Sequence, residues 1–173
     1  MSASEHPLVT ARRQMHLDPP RCVPAPGNSA QQPNPLLLTM ARDERLYNAG
    51  LSEQAFIATN IATAKFLVSG RSEYIAAGNL PQNWTPPGAA RRESAGLHSE
   101  QYLLAQFDYL RARARGQGGA FLVELYSERI PCFDLCMPLV KHHFPAADIF
   151  YSVRSYSREL GSKAQQLMRA YGL

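Results

Sequence analysis

One apolar stretch, Ala120-Phe121-Leu122-Val123-Glu124-Leu125-Tyr126, has the composition and the length of a buried β-strand. The glycine-rich run before it, Gly116-Gln117-Gly118-Gly119, is a typical helix stop. The strand leads directly into Ser127-Glu128-Arg129-Ile130-Pro131-Cys132, and a helix is predicted from Phe133 to Phe144. A buried strand followed by a helix is typical of a core strand in an α/β sheet.

The residues before this strand predict a β-hairpin and a long helix. A first strand is indicated from Ala55 to Val68, where β-branched and aromatic residues are frequent, and a second from Tyr74 to Asn79. Ser69-Gly70-Arg71-Ser72 between them has the composition of a turn. From Glu100 to Arg115, apolar residues recur near a period of 3.6, which predicts an amphipathic helix.

The residues after this strand continue the alternation of strands and helices. Asp148 to Val153 is predicted to be a further core strand, and Arg158 to Tyr171 a final helix. The order of elements is therefore hairpin, helix, strand, helix, strand, helix. This order predicts an α/β domain in which helices cover a mixed central sheet.

Proline marks the domain boundary and one long loop. Residues 1–34 are rich in proline, glycine and polar residues, so they are predicted to be a flexible arm or linker. Residues 35–173 are predicted to be the folded domain, which opens with a short amphipathic helix near residues 36–50. Prolines at 81, 86 and 87 predict a loop that leads to His98.

The composition excludes several classes of protein. Three cysteines among 173 residues are too few for a disulfide framework, which favours a reducing compartment or metal binding. Lys and Arg outnumber Asp and Glu by 18 to 14, a balance compatible with a polyanionic partner. The sequence has neither an apolar run of roughly 18–20 residues nor the pattern of a signal peptide, so no membrane association is expected. Export would require a specialised apparatus or a larger parent protein.

Two short motifs carry the chemistry. His98-Ser99-Glu100 offers an imidazole and a carboxylate at the start of a helix, and Cys132 and Cys136 offer two thiols where a strand meets the next helix. An imidazole and two thiolates suit zinc, and three protein ligands leave its fourth position open to a water whose pKa falls to about 7. The positive potential of a helix N-terminus favours thiolates. Glu100 remains as a general acid and base.

Together, His98-Ser99-Glu100 and Pro131-Cys132 with Cys136 resemble the H-x-E and P-C-x-x-C signature of the zinc-dependent cytidine and nucleic-acid deaminases. The resemblance spans residues 50–171 and implies the three-layer cytidine-deaminase-like fold. It implies zinc ligation by His98, Cys132 and Cys136 and proton transfer by Glu100. The chain has C-x-x-x-C, one residue longer than the usual motif, although residues four apart on a helix still face the same side. Should Cys132 or Cys136 fail as a ligand, Asp134 or the His142-His143 pair would be the nearest substitute.

Ser127-Glu128-Arg129-Ile130-Pro131-Cys132 and the H-x-E run look like those of the bacterial polymorphic-toxin deaminases. Such a domain is typically the toxic end of a secreted protein and has a partner immunity protein. The resemblance therefore implies a delivered toxin or effector that acts in the cytoplasm of a target cell. In that family the Asn that ends the second hairpin strand commonly contacts the nucleotide, and Asn79 matches this position, although Gly-Asn after a strand is also an ordinary turn.

Four further residues are candidates for contact with the substrate. Trp84 and Tyr126 could stack on a base, but packing in the protein interior explains them equally well. Ser127 and Pro131 belong to the run that precedes the first cysteine and are expected to line the pocket.

The sequence thus predicts a zinc-dependent hydrolytic deaminase that converts cytosine to uracil in DNA or RNA. A single strand is the expected substrate because a base in a duplex must first be extruded. Two alternatives remain open: a deaminase of free cytidine or a related nucleoside, and a zinc-stabilised effector module without catalytic activity. Retention of the biological effect in a Glu100→Gln variant would indicate the non-catalytic module.

Overall fold

The computed structural model describes residues 23–24, 27–78, 98–114, 119–154 and 160–173, with backbone alone at 23–24 and 160–162. Within these ranges five strands form one sheet in the order β1-β5-β4-β2-β3. β4 and β5 are parallel, and the other neighbouring pairs are antiparallel. The sheet is therefore mixed, as the sequence predicts. The strands are β1 (Val23–Pro24), β2 (Ile61–Val68), β3 (Arg71–Gly78), β4 (Ala120–Arg129) and β5 (Asp148–Val153).

Helices cover both faces of this sheet. Their bounds are α1 (Pro35–Glu44), α2 (Glu53–Ala58), α3 (Ser99–Arg113), α4 (Cys136–His143) and α5 (Leu160–Ala170), and a π-helical turn (Arg45–Ala49) continues α1. α3 and α4 pack on one face, and α1, α2 and α5 pack on the other. This arrangement confirms the three-layer cytidine-deaminase-like fold. In the described ranges, none of the helices is long and apolar enough to cross a membrane.

The predicted hairpin is confirmed as β2 and β3. Val68 pairs with Arg71, so Ser69 and Gly70 form a two-residue loop. Both have positive φ angles, 50° at Ser69 and 79° at Gly70. This is the type I′ geometry that matches the twist of paired strands, and glycine is favoured there because it has no Cβ.

Several predicted boundaries are wrong: β3 starts at Arg71 rather than at Tyr74, and β4 continues to Arg129 rather than ending at Tyr126. The first predicted strand begins at Ala55, but residues Glu53–Ala58 form α2 and the strand starts at Ile61. The hydroxyl of Ser52 caps this helix by accepting from the amide of Ala55, at 3.1 Å. A short apolar run fits a strand or a buried helix equally well, and here the cap decides. The helix predicted from Phe133 begins instead at Cys136, after a turn.

Each face of the sheet has its own apolar core. Under α3 and α4, the ring of Phe107 stacks on Phe66 at 5.7 Å and meets the edge of Phe144 at 4.6 Å. On the other face, buried side chains of α1, α2 and α5 pack against β2, β4 and β5. Strand residues alternate between the two cores because successive side chains point to opposite faces.

Residues 28–30, which the sequence assigns to the proline-rich arm, are bound to the edge of β5. The carboxylate of Asp148 accepts from the amide and hydroxyl of Ser29, at 2.6 and 2.9 Å, and from the amide of Ala30, at 3.1 Å. The Asn28 side chain exchanges hydrogen bonds with the backbone of Ile149. The part of the predicted arm before residue 23 lies outside the described residues.

A buried ion pair joins the π-helical turn after α1 to β4. The guanidinium of Arg45 contacts both oxygens of Glu128, at 3.0 and 2.5 Å, and both side chains are fully buried. Arg45 also donates to the carbonyl of Thr59 at 2.6 Å, and its guanidinium lies 4.5 Å from the ring of Phe56. Burial would lower the pKa of Arg45, but the facing carboxylate outweighs burial and the pKa is raised.

Two further groups donate hydrogen bonds to the carboxylate oxygens of Glu128. The amide of Ile61 donates to it at 2.9 Å and the hydroxyl of Tyr171 at 3.0 Å. Burial, and then the charge of Glu128, raise the pKa of Tyr171 well above its usual value, so this hydroxyl stays protonated. One carboxylate thus ties the π-helical turn after α1, the start of β2 and the C-terminal residues to β4.

We expect Glu128→Gln to lower the free energy of unfolding by about 3–5 kcal/mol, because it leaves the charge of Arg45 buried without its counter-ion. The matched control is Glu73→Gln, which removes the partner of an exposed pair at 4.0 Å from Arg113. That change should cost less than about 1 kcal/mol. Urea denaturation of both variants measures the difference. Equal midpoints for the two variants would contradict the importance of the buried pair.

Candidate metal and catalytic site

The start of α3 places an imidazole and a carboxylate side by side. His98 is the extended residue before the helix, and its amide donates to the side chain of Gln101 at 2.9 Å. This contact satisfies one of the free amides at the helix start and fixes the direction in which the helix begins. His98 is exposed, whereas Glu100 in the first turn is only 3% exposed.

The two cysteines converge through a turn. Cys132 follows β4, residues 133–135 form the turn, and Cys136 is the first residue of α4. The backbone amide of Cys136 donates to the sulfur of Cys132 at 3.2 Å. The expectation that both cysteines share one helix face is therefore wrong, because Cys132 lies before the helix. The additional residue of the C-x-x-x-C spacing is accommodated in the turn.

His98, Cys132 and Cys136 form a cluster that could hold a metal ion, with candidate ligand atoms all within 4.8 Å of one another. The Nδ1 atom of His98 lies 3.2 Å from the sulfur of Cys136 and 3.6 Å from that of Cys132. In a tetrahedral zinc site, nitrogen and sulfur ligands lie roughly 3.6 Å apart. The residues therefore fit zinc in spacing and in ligand type. The substitute ligands, Asp134 and His142-His143, are not part of this cluster.

The electrostatics of the cluster also favour a cation. Burial, followed by the charge of Glu100 and contact with Cys132, strongly raises the pKa of Cys136. The sequence predicts that the helix N-terminus favours thiolates, but burial outweighs that effect at Cys136. A cation held by these residues would supply the missing positive charge, since a metal-coordinating thiol is deprotonated.

Glu100 is held on its other side by a buried group of polar side chains. The hydroxyl of Ser127 donates to its Oε1 atom at 2.9 Å, and the hydroxyl of Ser99 donates to Oε2 at 3.2 Å. The amide nitrogen of Asn60 lies 2.7 Å from the Ser99 oxygen and 2.9 Å from the Ser127 oxygen. The backbone amide of Arg129 donates to the amide oxygen of Asn60 at 3.1 Å.

Sequence reasoning missed Asn60 and the role of Ser99. Asn60 stands alone before β2, where asparagine is an ordinary turn residue, and its contacts are 39 and 67 residues away along the chain. No local pattern identifies such a residue. Ser99 was visible only as the variable residue of the H-x-E motif.

Only some of the candidate substrate residues lie near the cluster of His98, Cys132 and Cys136. Ser127 is buried and touches Glu100, and Pro131 is buried next to Cys132. Tyr126 is not brought to the cluster: its side chain lies in the core on the opposite face, where its hydroxyl meets Ser152 at 2.7 Å. Asn79 and Trp84 lie outside the described residues.

These distances define what the site can do. Three residues that could hold a metal lie beside a carboxylate that hydrogen-bonds Cys136 and is not itself among the candidate ligands. Such a site can hold a metal with one open position and place a proton acceptor next to it.

Comparison with known proteins agrees with this arrangement. A family model described as Xanthomonas-like deaminase matches residues 59–171, well over half of the chain, and this range contains every residue of the cluster and of the polar group around Glu100. No curated protein and no solved structure gave a significant match. On the strength of the family match, this chain is a member of the Xanthomonas-like deaminase family.

Proposed function

We propose that this deaminase is a zinc-dependent hydrolase that converts cytosine to uracil in single-stranded DNA or RNA. The observation that carries the proposal is the position of Glu100, buried beside His98, Cys132 and Cys136 but outside the ligand cluster. Hydrolytic deamination needs a nucleophile activated near neutral pH and a group that moves protons. The cluster and Glu100 supply one each.

His98, Cys132 and Cys136 are the residues that would hold zinc. When bound there, zinc would supply a water activated as a nucleophile near neutral pH. His98 is exposed, so the cluster is open on that side, while Cys136 is fully buried and anchors it to α4. The sulfur of Cys132 already accepts the amide of Cys136, which orients it toward the cluster.

Glu100 would move the protons. It would accept one proton from the attacking water and deliver it to the ring nitrogen, and would then move the second proton of that water, from the newly formed hydroxyl, to the amino group that leaves as ammonia. Each carboxylate oxygen accepts one serine hydroxyl, Oε1 has a longer contact with Asn60 at 3.4 Å, and a carboxylate offers about four acceptor sites in all. The carboxylate is therefore fixed in position while it can still take up a proton.

The charge of the chain supports a nucleic acid as the substrate. Its net charge is +4. Basic surface residues attract the phosphate backbone. Phe133, in the turn between the cysteines, is 50% exposed, and an exposed aromatic ring can stack on a base. Asn79 and Trp84 remain further proposed base contacts.

We also propose that the domain acts as a toxin or effector in the cytoplasm of a target cell, and that a separate immunity protein restrains it. This part rests on the likeness of its Ser127-Glu128-Arg129-Ile130-Pro131-Cys132 run to the polymorphic-toxin deaminases. Co-expression with a protein encoded beside it would test whether toxicity is relieved.

The first test is expression of the chain and of its Glu100→Gln variant in cells that lack uracil repair, followed by sequencing of DNA and RNA. We expect C-to-T changes with the unaltered chain and at least about 10²-fold fewer with the variant, because the amide cannot accept the proton.

The zinc content of both proteins serves as the control, and it should be the same. Clean DNA and RNA together with bound zinc would overturn the nucleic-acid substrate. Free cytidine would then be assayed directly, and a biological effect that survives in Glu100→Gln would indicate a non-catalytic module.

Metal binding gives a second prediction. His98→Gln should lose stoichiometric zinc, because only the two sulfur ligands remain. His142→Gln is the matched control, since it makes the same change at an exposed histidine outside the cluster and should retain zinc. Elemental analysis of the purified proteins measures both. Equal zinc in the two variants would contradict the assignment of His98.

A further inference from the structure

We infer that Asn60 is a positioning residue of this active site: its amide holds the hydroxyls of Ser99 and Ser127 so that they fix the carboxylate of Glu100. The inference rests on the proposed role of Glu100 in proton transfer. Ser99 belongs to α3 and Ser127 to β4, whereas Asn60 lies in a third part of the chain, directly before β2.

The direction of each hydrogen bond follows from what the groups can donate. The backbone amide of Arg129 can only donate, so the atom of Asn60 that faces it at 3.1 Å must be the oxygen. The nitrogen of Asn60 therefore faces the two serines, and an amide nitrogen donates. Both hydroxyl oxygens accept from it, at 2.7 and 2.9 Å.

Each serine has a single hydroxyl hydrogen, and the bond accepted from Asn60 leaves that hydrogen free to be donated to Glu100. With its oxygen accepting from Asn60, Ser127 donates to Oε1 of Glu100 at 2.9 Å and Ser99 donates to Oε2 at 3.2 Å. The direct contact between Asn60 and Glu100 is longer, at 3.4 Å. Because the amide has two hydrogens and the serine oxygens lie closer, Asn60 acts on Glu100 through the serines.

Burial makes this arrangement rigid. Asn60 is 8% exposed, Glu100 is 3% exposed, and both serines are fully buried. The hydroxyls therefore have little access to water as an alternative partner, and turning them away would leave buried polar groups unsatisfied. The hydrogen bonds all point the same way: the backbone of β4 donates to Asn60, Asn60 donates to the serines, and the serines donate to Glu100.

The reaction needs this precision. A group that moves a proton must lie within hydrogen-bond reach of it, and a displacement of about 1 Å at an active site can reduce the rate about 10²-fold. Both oxygens of Glu100 are held by serine hydroxyls, one from β4 and one from α3, so the carboxylate keeps one position beside His98, Cys132 and Cys136.

Asn60→Asp tests the inference because it keeps the size of the side chain and the oxygen that accepts from Arg129. It replaces the donating nitrogen by an oxygen that attracts the serine hydroxyls away from Glu100. On a cytosine-containing single-stranded oligonucleotide we expect about 10²-fold lower kcat with KM and zinc content unchanged. Asn28→Asp, the same change at a residue bound to the backbone of Ile149, should leave kcat unaltered.

A spectroscopic measurement separates this inference from the proposed function. Carboxyl-labelled glutamate and subtraction of the Glu100→Gln spectrum isolate the infrared carboxylate band of Glu100. That band should shift in Asn60→Asp and stay in place in Asn28→Asp. The shift is expected even if the oligonucleotide is not deaminated, in which case the proposed substrate fails and the positioning role stands.

Coupling between the residues gives the decisive outcome. If Asn60 acts through the serines, adding Asn60→Asp to a Ser99→Ala and Ser127→Ala double variant should shift the band no further. An unshifted band in Asn60→Asp, or a full additional shift in the triple variant, would overturn the inference. If Asn60→Asp does not fold, Asn60→Ala replaces it, since it removes the nitrogen that donates to both serines: a shifted band supports the role and an unchanged band rejects it.

Discussion

Glu128 is fully buried, and the structure around it is arranged so that its carboxylate is matched by Arg45, the amide of Ile61 and the hydroxyl of Tyr171. These partners come from the π-helical turn after α1, the start of β2 and the C-terminal residues, so one side chain fixes where three parts of the chain meet β4. Removing one member of such a pair is costly because the other remains buried. The contact therefore constrains the position of β4 along the sheet more strictly than apolar packing alone, which tolerates small shifts.

That constraint reaches the site through the pleat of β4. Ser127 and Glu128 are consecutive residues and point to opposite faces of the sheet. With Glu128 fixed against Arg45, Ser127 must face α3, where it meets Glu100 at 2.9 Å. A slip of one residue would turn both to the wrong face, so the ion pair on one side and the active-site contact on the other require the same register.

Much of this organisation could be predicted from the sequence, because it is local or carried by strong motifs. The order of strands and helices follows from periodicity, and the convergence of His98 with Cys132 and Cys136 follows from placing two motifs at neighbouring ends of elements. The start of β2 was mispredicted because the cap formed by Ser52 turns an apolar run into α2. Asn60 and the partners of Glu128 were not found at all, since their contacts join residues far apart in sequence and only the folded sheet brings them together.

The candidate metal ligands and the carboxylate of Glu100 are held in place by different interactions, because their chemistry differs. The candidate metal ligands lie at the start of α3 and around the turn before α4, where bond formation to an ion can itself organise the geometry. A carboxylate that moves protons has no such bond to fix it, so its position must come from hydrogen bonds already made in the fold. Ser99 lies between His98 and Glu100 in the chain, but it takes part only in the hydrogen bonds that hold the carboxylate of Glu100. In this protein the middle residue of the H-x-E motif therefore has a specific requirement: a short side chain with a hydroxyl, buried at the first turn of α3 and within reach of both Asn60 and Glu100.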